Sequence, residues 1–423
     1  MYKYRRPLKV SPTIDLITIG DELLLGLTRN GHLTYLGEQL AFRGAPPNRN
    51  FVIRDEAKEI RRNFEKAWSE SDIVITTGGL GPTSDDRTRE VIAEILGLEL
   101  FYSQEVEDDI RERFKSFGRE MGPNNKKQAY YPSGAEIIMN AQGTAPGLWL
   151  ELDDKLLIML PGPPRELQPM FENQILPRLG QEGRLADSDR IFSFQTSGIG
   201  ESALELELHP ILKPYSDVNV AYCARYGVVD VRLSSISGET SLDQIQELAE
   251  VCKRALGKQF LDYGKKGITA VVQQLLVSRY ETVAVAESCT GGLLGGAFTS
   301  LPGSSDVFQG SLVTYTNMAK HELLSVPKAD LEVHGAVSEP VAKAMAQGAL
   351  QNFHSTWALS TTGIAGPGGG TPDKPVGMVF IGWAGPRGAF AKKFDLRGNR
   401  GIVRERTVNI AFDILRRQLL RSD

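Results

Sequence analysis

Three cysteines in 423 residues, Cys223, Cys252 and Cys289, stand far apart and form no C-x-x-C pair. Neither a disulfide framework nor a zinc knuckle is available, which fits a reducing cytosol. Histidine is scarce too: none of His32, His209, His321, His334 and His354 lies in a recognisable pairing with a nucleophile, so the commonest way of activating a serine or cysteine is missing. No stretch approaches the ~18–20 consecutive apolar residues of a membrane span. The opening MYKYRRPLKVSPTIDL is basic but has no apolar run of signal-peptide length. With a net charge of −4 and no lysine- or arginine-rich block, the chain lacks the cationic face of a general phosphate-backbone binder. The expectation is a cytoplasmic protein with no membrane attachment, for which nucleic acid is an unlikely partner.

What is present is ordinary in bulk and distinctive in detail. A hydrophobic content of 41% and a charged content of 24% are those of a globular protein, and the length suits two or three domains of ~100–200 residues. The early chain alternates strand and helix. Ile14 to Ile19 is a buried-strand pattern ending in Gly20-Asp21-Glu22, and Asn30 to Phe42 has helical spacing. Val52 to Asp55 and Asp72 to Thr76 are further strands, with a charged amphipathic helix, Glu56 to Trp68, between them. This predicts a parallel sheet with helices on both faces, binding its ligand beyond the carboxyl ends of the strands.

At that edge fall Asp21, Asp55, the turn Thr77-Gly78-Gly79-Leu80-Gly81-Pro82-Thr83, and Asp85-Asp86, where a helix is expected to start. Glycines let the backbone approach a phosphate, and carboxylates in the same place hold a hard divalent cation. The edge therefore suits metal-assisted cleavage of a diphosphate, with Gly78, Gly79, Gly81 and Thr83 toward the phosphates and Asp21, Asp55 and Asp86 as metal ligands. Taken alone, Asp85-Asp86 also serves as a cap and first-turn acid, and a Gly-Gly turn is usually just a turn.

The second focus is Thr282 to Lys320. Val283 to Ala286 is a buried strand, and Ser288 sits where it gives way to a helix opened by Gly291-Gly292, whose unpaired N–H groups suit an oxyanion or a phosphate. A strand over Ser311 to Tyr315 leads into a helix near Asn317 that carries Lys320. Adjacent parallel strands bring Tyr315 and Lys320 beside Ser288. A desolvated lysine can take the serine proton, and the phenol can relay it or orient the amine. A Ser-Cys-Thr turn is, by itself, more often only a helix cap. Further on, a helix over Glu339 to Asn352 and a strand over Trp357 to Thr361 lead to Thr362 and the loop from Gly363 to Gly370, where backbone N–H groups can hold a phosphate or the oxyanion. Strands 376–383 and 389–395 precede a last helix, Arg404 to Leu420, expected to close the core with its basic face solvated.

The motifs AESCTGG, PGSS, VTYTN followed by Lys320, HGAVSEPVA (334–342), TTGIAGPGGG (361–370) and KPVG (374–377) resemble the C-terminal domain of the competence/damage-inducible CinA family. GDELLLG (20–26), TGGLGPTSDDRT (77–88), Asn140 with GTAPG (143–147) and LPGPPRELQPM (160–170) resemble that family's N-terminal domain, which is related in fold to molybdopterin-binding proteins. The resemblance implies a nicotinamide-nucleotide amidase, releasing nicotinic acid mononucleotide and ammonia from nicotinamide mononucleotide without a metal. Ser288 is then the nucleophile, Tyr315 and Lys320 complete the triad, and Gly291, Gly292, Thr362, Gly363 and Arg400 line the substrate site. It also implies a second site, with Asn140 among its ligands, that hydrolyses ADP-ribose to AMP and ribose 5-phosphate with magnesium, manganese or cobalt. Two departures stand out: Gly398-Asn399-Arg400 where the family has Gly-Asp-Arg, and Asn30-Gly31-His32 where many members have Asn-Thr-Asn.

The architecture so implied is α/β throughout: a molybdopterin-binding-like domain over residues 1–180, a small KH-like α+β domain over 184–263, and an α/β amidase domain over 264–423. Gly264-Lys265-Lys266-Gly267 is the linker before the last. In the middle segment Gly198-Ile199-Gly200-Glu201 lacks the basic residues of a nucleic-acid clamp, so it is expected to be structural or to form a homodimer. A rival enzymatic assignment makes Cys289 the nucleophile, and a different class of function is a competence or repair adaptor that binds without turnover.

Overall fold

Alternation within one strand divides the N-terminal core in two. In β1, Ile14–Ile19, Ile14 and Leu16 pack on one side of the sheet with Leu36 and Leu40 of α1, His32–Phe42. Ile17 and Ile19 pack on the other with Ile60 and Phe64 of α2, Ala57–Glu70. β1 pairs in parallel with β2, Arg49–Ile53, and with β3, Ile73–Thr77. Asp15, fully buried on β1, is held by Arg49 Nε at 3.1 Å.

After α3, Thr88–Leu96, and α4, Gln104–Ser116, the sheet is completed by β4, Glu136–Ile138, β5, Gly147–Leu152, and β6, Lys155–Leu160, in the order β2-β1-β3-β6-β5-β4. The sheet is mixed where the alternation predicted parallel strands only: β6 runs parallel to β3, but β5 is antiparallel to both β6 and β4. The cause is local. Asp153 and Asp154 adopt φ of 51° and 61°, the pair of left-handed residues that closes a two-residue hairpin. The helix expected from Asp86 begins at Thr88.

The computed structural model describes residues 12–186, 190–236 and 239–421. The N-terminal stretch inspected for a targeting signal therefore lies, up to residue 11, outside them. The chain forms two compact units, one ending at Ile191 and one starting at Phe192. Among the described residues no helix is long and apolar enough to cross a membrane.

The second unit contains two sheets. The smaller has β7, Ile191–Ser197, α5, Glu201–Leu212, β8, Val218–Arg225, β9, Val228–Ser235, α6, Leu242–Leu256, and β10, Phe260–Tyr263, in the order β8-β9-β7-β10. The larger follows α7, Gly267–Arg279. Its members are β11, Val283–Glu287, α8, Leu293–Thr299, β12, Phe308–Val313, α9, Asn317–Leu324, α10, Glu339–Phe353, β13, Trp357–Gly363, β14, Met378–Gly385, β15, Gly388–Asp395, and α11, Arg400–Leu419. The order is β12-β11-β13-β14-β15, with β12, β11 and β13 parallel and the rest antiparallel.

The basic face of α11 is not solvated as expected. Arg416 is 2% exposed and donates to Phe260 O at 3.0 Å, Lys258 O at 2.7 Å and Ser197 Oγ at 3.0 Å, while Ser197 Oγ donates to Asp413 Oδ1 at 2.6 Å. The last helix thus bonds the smaller sheet to the larger. The expected linker is equally tied down, with Gly264 N on Ser193 O and Gly267 N on Gln195 Oε1.

α10 lies close against α9. A Cβ on Gly348 would sit 2.1 Å from Leu324 O at the end of α9, and backbone cannot yield that distance without moving the helix. Gly348→Ala is expected to destabilise the second unit by about 1–3 kcal/mol, the usual cost of overpacking. An unchanged urea midpoint would contradict the tight approach.

Candidate active site

The carboxyl end of β11 carries the nucleophile candidate because Ser288 N donates to Thr361 O at 2.9 Å, extending the pairing with β13 one residue past the strand. Ser288 is nearly buried. Thr316 Oγ1 caps α9 by accepting from Ala319 N at 3.1 Å, and four residues into the turn stands Lys320, fully buried. Its Nζ lies 3.1 Å from Ser288 Oγ, 2.8 Å from Thr314 O and 3.3 Å from Tyr315 O. Among the described residues no carboxylate pairs with it. Burial pushes the amine below the ordinary lysine value of 10.5, against a raising influence from Cys289. A neutral amine has two N–H groups and one lone pair. The two carbonyls can take the former, leaving the lone pair for the Ser288 hydroxyl.

Tyr315 enters this arrangement differently than expected. Its side chain is 62% exposed, and its contact with Lys320 runs through the backbone carbonyl. β12 ends at Val313, so the chain has already turned away from the sheet at Tyr315 and its phenol forms no hydrogen bond to Ser288 or Lys320. Cys289 is buried in the core, and desolvation pushes its thiol up to about 12. That is the setting of an inert cysteine.

The helix start after Ser288 is also used differently. Glu287, 0% exposed, accepts from Thr290 Oγ1 at 2.7 Å, Gly292 N at 2.9 Å, Leu294 N at 3.0 Å, Gly295 N at 2.8 Å and Ser311 Oγ at 3.0 Å. The N–H groups of the α8 start, expected to be open to substrate, are therefore largely taken by the protein's own carboxylate. Those of Cys289, Thr290 and Gly291 have no acceptor among the described residues. Gly291 and Gly292 adopt φ of 58° and 96°, which only glycine holds without strain.

On the neighbouring strand, Thr362 Oγ1 donates to Ala336 O at 2.8 Å, so its hydroxyl fixes the segment before α10. Gly363 leaves no room for a Cβ, which would meet Val379 Cγ2 at 2.7 Å. Arg400, exposed, donates through Nη1 to Gly366 O at 3.0 Å. Asn399 caps α11 by accepting from Ile402 N at 3.0 Å, a task that an aspartate at this position performs equally well. Glu287 and Arg404, whose Nη2 donates to Thr290 O at 2.6 Å, were missed from sequence. A glutamate ending an apolar strand one residue before a serine was the available signal for the first.

In the N-terminal unit Asp21 and Asp55 face each other, with Asp21 N on Asp55 Oδ2 at 3.1 Å and Asp55 N on Asp21 Oδ1 at 3.3 Å. Burial pushes the Asp55 carboxyl up, and the negative charges of Glu22, Asp21 and Asp85 add to this, against the Asp21 N–H. Asp86 does not join them. It accepts from Thr83 N at 2.9 Å and from Thr83 Oγ1, and so closes the turn on itself. Among the described residues no three His, Cys, Asp or Glu side chains form a metal-binding group. Of the three carboxylates expected as metal ligands, Asp21 and Asp55 are brought together and Asp86 is not.

Gly78, Gly79 and Gly81 are demanded by packing: a Cβ would lie 2.1 Å from Ile19 O, 1.9 Å from Thr88 Oγ1 and 2.5 Å from Asp86 Oδ2, respectively. Asn140 has no spare bond to give a ligand. Its Nδ2 donates to Ala145 O and to Glu166 Oε2, and its Oδ1 accepts from Gln142 N and Gly143 N. At the departure from Asn-Thr-Asn, His32 is buried with Nδ1 2.8 Å from Thr77 Oγ1, and desolvation pushes the imidazole below 6.5, so it is neutral at neutral pH. Arg89, fully buried, anchors the Gly-rich turn through Leu80 O at 3.1 Å.

Three family models match successive parts of the chain. Residues 15–181 match the model "Probable molybdopterin binding domain", residues 193–261 "Damage-inducible protein CinA KH domain", and residues 265–419 "CinA C-terminal domain". A "Putative competence-damage inducible protein" of Caldanaerobacter subterraneus is 40% identical over 406 residues, covering 96% of this chain and 98% of its own. The chain belongs to the CinA family. A relative of the same description in Clostridium botulinum is 39% identical over 407 residues, 96% of this chain and 99% of its own. The crystal structure of a competence/damage inducible protein from Agrobacterium tumefaciens is 38% identical and covers 36% of this chain and 93% of its own, with a TM-score of 0.35.

In this CinA-family chain the buried carboxylate invites a direct test. Glu287→Gln replaces one acceptor oxygen by an amide that faces donors, and each bond so lost costs about 1–3 kcal/mol. The expected result is a lowered thermal midpoint of the second unit in calorimetry; an unchanged midpoint would show that the donors find water instead.

Proposed function

We propose that the C-terminal domain is a nicotinamide-nucleotide amidase, converting nicotinamide mononucleotide and water to nicotinic acid mononucleotide and ammonia. The observation that carries this is the buried Lys320 amine, without a carboxylate partner, 3.1 Å from Ser288 Oγ. Ser288 Oγ attacks the carboxamide carbon while its proton passes to the Lys320 lone pair. Lys320 then gives a proton to the departing nitrogen, which leaves as ammonia, and the acyl-serine remains. Water, deprotonated by the same amine, cleaves that ester and restores the hydroxyl. The lysine supplies the base, and this route calls on no metal.

Ser288→Ala and Lys320→Ala are each expected to lower ammonia release by at least ~10³-fold, as in other serine–base pairs, while Cys289→Ala retains most of it. Full activity in Ser288→Ala would overturn the assignment. Because the amine acts only when unprotonated, kcat should rise with pH and reach its plateau below pH 10.5, the ordinary lysine value. Stability follows the same sign. Between the lowered folded value and the ordinary one, the unfolded chain binds more protons, so stability rises with pH across that window and is lost as pH falls through it. Lys320→Met should flatten this dependence in denaturant titrations at several pH values.

For the N-terminal domain we propose a site for an ADP-ribose-like diphosphate. The mutually facing Asp21 and Asp55, with Glu22 and Asp85 adding negative charge at Asp55, suit a hard divalent cation such as magnesium, manganese or cobalt. Those two carboxylates would hold it, and when bound it would neutralise the diphosphate. Asp86, Asn140 and the glycines shape the turns around it. Asp55→Asn is expected to abolish metal-dependent AMP formation and calorimetric binding of ADP-ribose, with ammonia release unchanged. Wild-type protein that neither binds ADP-ribose with these metals nor forms AMP would reduce the domain to a scaffold.

A further inference from the structure

α11 begins with two arginines one turn apart, Arg400 and Arg404, which share a face of the helix. Arg400 holds Gly366 O in the loop after β13, and Arg404 holds Thr290 O in the loop after β11. Arg404 makes no ion pair among the described residues, and its Nε is buried without an acceptor. Its charge is therefore spent on one peptide carbonyl, two residues from Ser288, where a neutral donor would serve if only packing were at stake. Gly291 presents its side-chain-free face here: a Cβ on it would lie 3.5 Å from Arg404 Nη2.

A trans peptide points its C=O and N–H in opposite directions. With Thr290 O clamped to the guanidinium, the Gly291 N–H of the same peptide must point away from Arg404. The neighbouring donors are accounted for, Ser288 N by Thr361 O and Gly292 N, Leu294 N and Gly295 N by their acceptors. The N–H groups of Cys289, Thr290 and Gly291 are what the loop has left, directly after the nucleophile. A charged hydrogen bond to the carbonyl also polarises the peptide and makes its N–H a stronger donor.

We infer that Arg404 is a positioning residue for acyl transfer at Ser288, holding the Thr290–Gly291 peptide so that the free N–H groups of residues 289–291 receive the oxyanion of the tetrahedral intermediate. This rests on Ser288 being the nucleophile of the proposed amidase. Arg404 acts through the peptide and does not touch the reacting atoms, so its loss weakens the transition state more than substrate binding.

The test uses the full chain with Arg404→Ala and Arg404→Lys, and two readouts: ammonia release from nicotinamide mononucleotide, and the rate at which a fluorophosphonate probe labels Ser288, since that reaction also places an oxygen among the N–H groups. Arg404→Ala is expected to lower kcat by about 10²-fold, the scale of a lost oxyanion donor, with KM within a few-fold, and to slow labelling in parallel. Arg404→Lys keeps a cationic donor and should restore part of both rates, which a purely structural arginine would not predict at equal thermal stability. If Arg404→Ala does not fold, the lysine variant alone carries the comparison, expected between wild type and complete loss. Wild-type labelling without ammonia release would overturn the substrate assignment and leave this inference to the labelling rates. Labelling of a folded Arg404→Ala at the wild-type rate, or a rise in KM with kcat unchanged, would overturn the inference itself.

Discussion

A carboxylate sealed from water must find its donors in the protein, and Glu287 finds five of them. Three are backbone N–H groups five to eight residues further on, at Gly292, Leu294 and Gly295, and this decides the conformation of everything between. To bring Gly292, Leu294 and Gly295 N–H back onto residue 287, the chain must coil tightly at once, and Gly291 and Gly292 adopt left-handed geometry to do it. Ser288, directly after the glutamate, is pinned at the start of that coil by its N–H on Thr361 O. The threonine pair Thr290 and Thr361, 2.7 Å apart, ties the coil to β13. Next door the buried Lys320 amine has no carboxylate partner among the described residues and is held by Thr314 O and Tyr315 O.

The two candidate sites occupy the same place in their sheets yet are electrically opposite. At the N-terminal edge carboxylates crowd together, and burial already strains the ionised form of Asp55, so the free protein holds excess negative charge there. At the C-terminal edge the buried Glu287 carboxylate is compensated by hydrogen-bond donors, while Arg404 has no acid partner among the described residues. One edge is poised to take up positive charge and the other to receive negative charge, which is how a diphosphate with its cation and a developing oxyanion differ in need.

Much of the fold was legible because periodicity reports burial, and burial decides strands and helices: β1, β11, β13 and the start of α9 fall within a residue or two of where their patterns place them. The mixed sheet was not, since strand direction at β5 and β6 turns on two aspartates in left-handed geometry that carry no glycine signal. Lys320 beside Ser288 was legible from strand adjacency. The orientation of Tyr315 was not, because adjacency fixes a Cα and not which way a side chain leaves a turn. The glycines of the Gly-rich turn illustrate a second limit. Close approach of backbone was the right inference, but what approaches in this structure is Ile19 O, Thr88 and Asp86. Arg404 and Arg416 escaped because a helical pattern marks charged residues as solvent-facing and cannot see carbonyls brought up from elsewhere in the chain.

The bonds of Arg416 have a consequence for what counts as a module. By sequence pattern the smaller sheet and the larger one are separate cassettes joined near Gly264, and a gene could be cut there. Physically the cut would strip Arg416 of the carbonyls of Lys258 and Phe260 and of the Ser197 hydroxyl, and open to water its pair with Asp413 on the same helix. The isolated larger sheet would thus carry a hydrated ion pair on the face where the whole chain keeps a buried one, so the two sheets are separate cassettes in the gene and a single fabric at the last helix.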